Sequence, residues 1–199
     1  MDLGASRAHT LARELLLMQK PARLPIRVGR LRFDKNLIID SLENYCALTG
    51  DTLRQLCAGS RAALQDGCTL IRQRGGQKIY IVLYNQSARS TRRRNFTLAH
   101  EVGHIYLGHE QDGPAWERQA NAFASELLMP RILAAQYLKA LGGCLDPAAM
   151  LAQVFDVSLS MARLRLSGLS QTNYTAREKE LLARYKAALP HPDEPEITY

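Results

Sequence analysis

No stretch of the 199 residues approaches the roughly 20 uncharged apolar residues of a membrane span, so no membrane-spanning segment is expected. The N-terminus, Met1-Asp2-Leu3-Gly4-Ala5-Ser6-Arg7, lacks a charged start followed by an apolar run and does not read as a secretion signal. A cytoplasmic protein is expected. The four cysteines, Cys46, Cys57, Cys68 and Cys144, are widely spaced and form no CxxC pair. That excludes a zinc knuckle and a dithiol redox motif, and the expectation is reduced thiols. Internal repeats and low-complexity tracts are absent. The basic excess is modest, +7, and is spread along the chain. Its densest cluster, Arg89, Arg92, Arg93 and Arg94, reads as a solvated loop or a substrate-holding segment rather than a DNA-binding stripe.

What is present is a run of helical periodicities around one hairpin. Residues 5–20 carry Leu11, Leu15 and Met18 on one stripe and stop at Pro21 and Pro25. Residues 37–48 read as a second helix ended by Gly50, and residues 52–64 as a third. Residues 68–74 and 77–85 flank Gly75-Gly76, the pattern of a β-hairpin with a tight turn. Asn95 is placed to cap a helix that runs to about Gly108 with Leu98, Val102 and Ile105 on its apolar stripe. Pro114 suits the first turn of the next helix, which ends at Met129-Pro130. Helices are then expected over 132–141, 147–155, 158–169 and 177–189. The proline-rich end, 190–199, has no periodicity and is expected to be disordered.

The chemistry concentrates in His100-Glu101-Val102-Gly103-His104. Histidines at i and i+4 leave one face of a helix together, so both imidazoles can grip one metal ion. Glu101 points near the same place and can handle a proton. Zinc with three protein ligands keeps one position open for water. Glu117, on the following helix, is the best third ligand, with His109, Glu110 and Asp112 in the intervening loop as rivals. The metzincin pattern HExxHxxGxxH is rejected, because Leu107 stands at its glycine and Glu110 at its third histidine. Asn121, one turn after Glu117, can hold a ligand histidine by its second nitrogen. Tyr84, Tyr106 and His109 are candidates for an oxyanion or substrate contact. If residues 79–85 form an edge strand beside the metal, an extended peptide can pair with it; a buried strand is the alternative.

The runs 95–104 (NFTLAHEVGH) and 117–130 (ERQANAFASELLMP) resemble the ImmA/IrrE family of metallopeptidases, and 151–158 (LAQVFDVS) is a further echo. The resemblance spans about residues 37–170. It implies one zinc ion on His100, His104 and Glu117, with Glu101 as base. It also implies a bacterial or phage-borne protease that cuts a helix-turn-helix repressor and so releases stress-response or mobile-element genes. Gln119 departs from the pattern, since many relatives carry an acid there.

The expected fold is α+β: a mainly helical, zincin-like domain with a small antiparallel sheet over residues 1–142, then a helix-turn-helix-like segment over 143–189 packed on it, then the tail. The competing reading is a DNA-binding or repressor-sequestering regulator without proteolysis, in which Arg163 and Arg165 reach phosphates. Asp156 in the turn opposes it, so direct DNA binding is not expected. Oligomeric state is left open by the sequence.

Overall fold

The computed structural model describes residues 3–56, 66–87, 90–111, 113–169 and 173–189. Helix α1 (Leu3–Leu17) buries Ala8, Ala12, Leu15 and Leu16 completely. It stops three residues before the expected Lys20. Gln19 turns back instead, its Nε2 donating to the carbonyls of Leu15 (2.8 Å) and Arg32 (3.0 Å) while its Oε1 accepts from the Arg32 amide (2.9 Å). One buried amide side chain thus closes the helix and fastens the following loop.

Residues 37–48 are not one helix. Leu37–Ser41 is a strand, β1, and Leu42–Thr49 is helix α2. The β-branched pair Ile38-Ile39 favours the extended form. Ser41 then starts the helix by accepting the Asn44 amide on its Oγ (3.1 Å), and Gly50 ends it in the left-handed region. A single helical turn, α3 (Leu53–Leu56), follows; the rest of the expected third helix lies outside the described residues.

The hairpin is present as β2 (Gly67–Arg74) and β3 (Gln77–Tyr84). Gly75 (φ 59°) and Gly76 (φ 78°) make its turn, which needs positive φ at both positions. The sheet is mixed rather than wholly antiparallel: its order is β1-β3-β2, with β1 parallel to β3 and β2 antiparallel to it. β3 is therefore central. Its backbone is paired on both sides, so residues 79–85 cannot serve as an edge strand, and the outer strands among the described residues are β1 and β2.

Helix α4 (Thr91–Leu107) carries the histidines. Ser90 caps it, accepting the Arg93 amide (3.2 Å), and Gly108 ends it with φ 73°. Asn95 is not the cap. It is buried within the helix, where Oδ1 accepts from the Val28 amide (2.9 Å) and Nδ2 donates to the Ile26 carbonyl (2.8 Å). Of the arginine cluster, Arg92, Arg93 and Arg94 lie in the first turn of α4 rather than in a loop. Cations there oppose the helix dipole. Acids offset them: Asp66 pairs with Arg93 (2.6 Å) and Asp156 with Arg92 (2.6 Å). Arg89 lies outside the described residues.

Helix α5 (Pro114–Leu128) crosses α4 closely. Gly103 permits the approach, because a Cβ there would lie 3.1 Å from Phe123 Cδ1 and 3.2 Å from the Ala120 carbonyl oxygen. Helices α6 (Arg131–Leu141), α7 (Pro147–Val154), α8 (Leu159–Ser167) and α9 (Ala176–Tyr185) complete the chain. One apolar core runs from Leu15 and Val102 through Phe123 and Leu133 to Phe155 and Tyr185. The fold is α+β and mainly helical, as expected. The tail beyond Leu189 is outside the described residues.

The turn between α7 and α8 is built around Asp156, the one described non-glycine residue with positive φ (49°). Its carboxylate pairs with Arg27 and Arg92, which binds the turn to the α4 side of the molecule. Arg165 does not project outward as a phosphate contact would. Its side chain is 11% exposed and pairs with Glu126 (3.1 Å).

Candidate metal centre

Helices α4 and α5 bring His100, His104 and Glu117 together. The two Nε2 atoms are 3.0 Å apart. Glu117 Oε2 is 3.2 Å from His100 Nε2, and Oε1 is 3.4 Å from His104 Nε2. A tetrahedral ion with bonds of about 2.0–2.1 Å spaces its ligands by about 3.3–3.4 Å; the three donors stand close to that separation, the histidine pair slightly nearer. Of the rivals, Glu110 pairs with Lys78 (3.0 Å), and Asp112 lies outside the described residues.

The opposite ring nitrogens show which atoms carry protons. Asn121 Oδ1 lies 3.0 Å from His100 Nδ1; an amide oxygen only accepts, so Nδ1 bears the hydrogen and Nε2 presents its lone pair. His104 is governed by a longer ladder. Gln119 Oε1 accepts from His109 Nε2 (3.2 Å), which leaves His109 Nδ1 to accept from His104 Nδ1 (3.1 Å). His104 Nε2 is again unprotonated. Burial first, then His100 and His109, push His104 down to about 4, so it stays neutral at ordinary pH. Two lone pairs and a carboxylate at these distances repel one another until a cation sits among them. The residues fit a divalent metal.

His109 thus stands behind His104, on the side away from the ligand nitrogens, stacked on Trp116 with ring centres 5.8 Å apart. It is placed as a support for a ligand rather than as an oxyanion contact. Tyr106 turns its hydroxyl to Asp34 (2.6 Å) and stacks on Phe123; burial and that hydrogen bond push the phenol upward. Tyr84 ends β3, half-buried between Ser41 of β1 and Gly67 of β2. Neither is drawn to the histidine pair.

One contact has no counterpart in the motif. Thr69 on β2 donates to Glu101 Oε2 at 2.6 Å. Only the register of the hairpin, which sets Thr69 opposite Val82, places it there. No spacing in the sequence links positions 69 and 101.

The model of the IrrE N-terminal-like domain, peptidase M78, matches residues 65–167, just over half of the chain. The chain belongs to the peptidase M78 family. Within the M78 match lie α4, α5 and all three ligand candidates, and the family's class makes the chain a metallopeptidase-type hydrolase. No match was found among curated proteins. Among the described residues, no helix is long and apolar enough to cross a membrane.

Proposed function

We propose that this M78 peptidase is a cytoplasmic zinc endopeptidase that cuts a helix-turn-helix transcriptional repressor and so derepresses stress-response or mobile-element genes. The observation that carries the peptidase chemistry is the convergence of two unprotonated Nε2 atoms and the Glu117 carboxylate, with Glu101 on the same helix. His100, His104 and Glu117 would hold the ion, which would supply Lewis acidity toward a carbonyl and an acidified water. Glu101 accepts the proton of the attacking water and delivers it to the leaving amine nitrogen. Thr69 orients the Glu101 carboxylate for that transfer. Asn121, and Gln119 through His109, fix the tautomers of the two ligand rings. Among the described residues β2 is an outer strand, and it carries Thr69, so an extended peptide added to its edge passes the base.

The substrate class rests on the family resemblance. In this reading residues 1–142 form the peptidase, and residues 143–189 brace its rear wall rather than read DNA. The burial of Arg165 and the double pairing of Asp156 support that division of labour. The test is incubation of the zinc-loaded protein with a candidate repressor, fragments being read by mass spectrometry. One discrete cut, absent with Glu101→Gln, is expected. Stable binding by both proteins without a cut would replace proteolysis by sequestration.

A further inference from the structure

Helix α1 packs along α5, and its first turn reaches the support of the metal centre. Gly4 lies there against Gln119. A Cβ on Gly4 would stand 2.5 Å from Nε2, 2.8 Å from Cδ and 3.1 Å from Cγ of that side chain. The Gln119 amide therefore fills the space that a side chain at position 4 would need. Arg7, His109, Trp116 and Gln119 line an open cleft of about 540 Å³ beside it, so a displaced Gln119 has room to move without disturbing the core.

The seat of that one amide governs two rings. Gln119 Oε1 stands 3.2 Å from His109 Nε2, and His109 Nδ1 stands 3.1 Å from His104 Nδ1. With Oε1 accepting, the protons lie on His109 Nε2 and His104 Nδ1, and His104 Nε2 is left bare. An amide turned over donates to His109 Nε2 instead. Both protons then cross their rings, and a hydrogen occupies His104 Nε2, the atom that faces Glu117. An amide moved away lets His109 hold either tautomer. Each change weakens the support of a ligand ring.

We propose that the first turn of α1 belongs to the metal centre: Gly4, by having no side chain, seats the Gln119 amide on His109 and so fixes the proton that His104 turns away from the ion. Gly4 and Gln119 act as positioning residues. The inference rests on the metal reading of His100, His104 and Glu117.

The test measures zinc affinity of the full chain by competition with a chelator, for the wild-type protein, Gly4→Ala, Gln119→Ala and the double variant. Gly4→Ala should weaken zinc by about tenfold, the lower end of the range for partners of ligand histidines. The double variant should match Gln119→Ala within about twofold, because the added methyl then meets no amide. Alanine is a better helix former than glycine, so the metal-free Gly4→Ala chain should melt no lower than the wild type. NMR of the zinc-loaded, nitrogen-labelled protein should show His109 protonated on Nε2, and a mixture of tautomers in Gly4→Ala. Equal zinc affinity of the wild type and Gly4→Ala, a penalty that persists in the Gln119→Ala background, an unchanged His109 tautomer or a lowered melting temperature overturns the proposal. Absence of zinc binding by the wild-type chain removes the metal reading itself, and the proposal with it.

Discussion

The two sides of α5 carry opposite imbalances. Toward α4, Glu117 joins two imidazole lone pairs, a surplus of electron donors crowded within 3.0–3.4 Å. Toward α8, the buried Glu126 meets both Arg13 and Arg165, and Nε and Nη2 of Arg165 have no acceptor among the described residues. A folded chain usually satisfies its buried polar groups from within. Where it does not, the sign of what is left over shows what is missing, and beside Glu117 that is a cation. Asp156 shows the ordinary case, since its strained backbone and its charge are both answered by Arg27 and Arg92.

The sharpest way to separate the two sides is to disable the front alone. Glu101→Gln should keep the metal and lower cleavage by about 10²–10⁴-fold, the usual share of a general base. Glu117→Ala should release the metal, read by dialysis and atomic absorption. If metal content survives Glu117→Ala, the front imbalance has been misassigned.

Acid provides the next largest effect. His104 titrates near 4 in the folded chain and near 6.5 when unfolded. Below about 6.5 the unfolded chain takes up the proton first, so the share of the metal-free protein's stability that His104 governs should fall between pH 6.5 and 4 and level off below. The loss from this residue is up to about 3 kcal/mol. Urea melts across that range check it, and His104→Gln should flatten the slope.

Removing the outer supports sharpens the contrast further. Asn121→Ala and Gln119→Ala should each weaken the metal by about 10–100-fold, the range for partners of ligand histidines. Competition with a zinc chelator measures this. The smallest change is expected from Asp156→Asn, which keeps a residue tolerant of positive φ but removes the charge. A loss of about 1 kcal/mol in a denaturant melt is expected, with zinc content unaltered.

Much of the centre was legible because its parts are local. His100 and His104 share a helix face, and Glu117 arrives on the next helix, so periodicity and one short loop suffice to bring them together. The failures have a common cause, which is tertiary choice. Residues 37–48 carry apolar residues at spacings that suit a helix, and only pairing with β3 makes Leu37–Ser41 a strand. Asn95 has the chemistry of a cap, yet Ser90 caps and Asn95 anchors the chain at Ile26 and Val28. Thr69 and the Gln119–His109 ladder depend on contacts across elements, which no local pattern encodes. His109 could be read as a rival ligand only because the sequence does not say which side of His104 it occupies.

The strand order has a consequence for synthesis. Of the three strands among the described residues, β3 is the last to leave the ribosome, and both others pair with it. Until residue 84 has emerged, β1 and β2 expose backbone edges with no partner in the sheet, the kind of surface on which nascent chains associate. The wait ends just before the histidine helix appears: β3 closes at Tyr84, and α4 begins at Thr91. The metal ligands therefore emerge after all three described strands have been made.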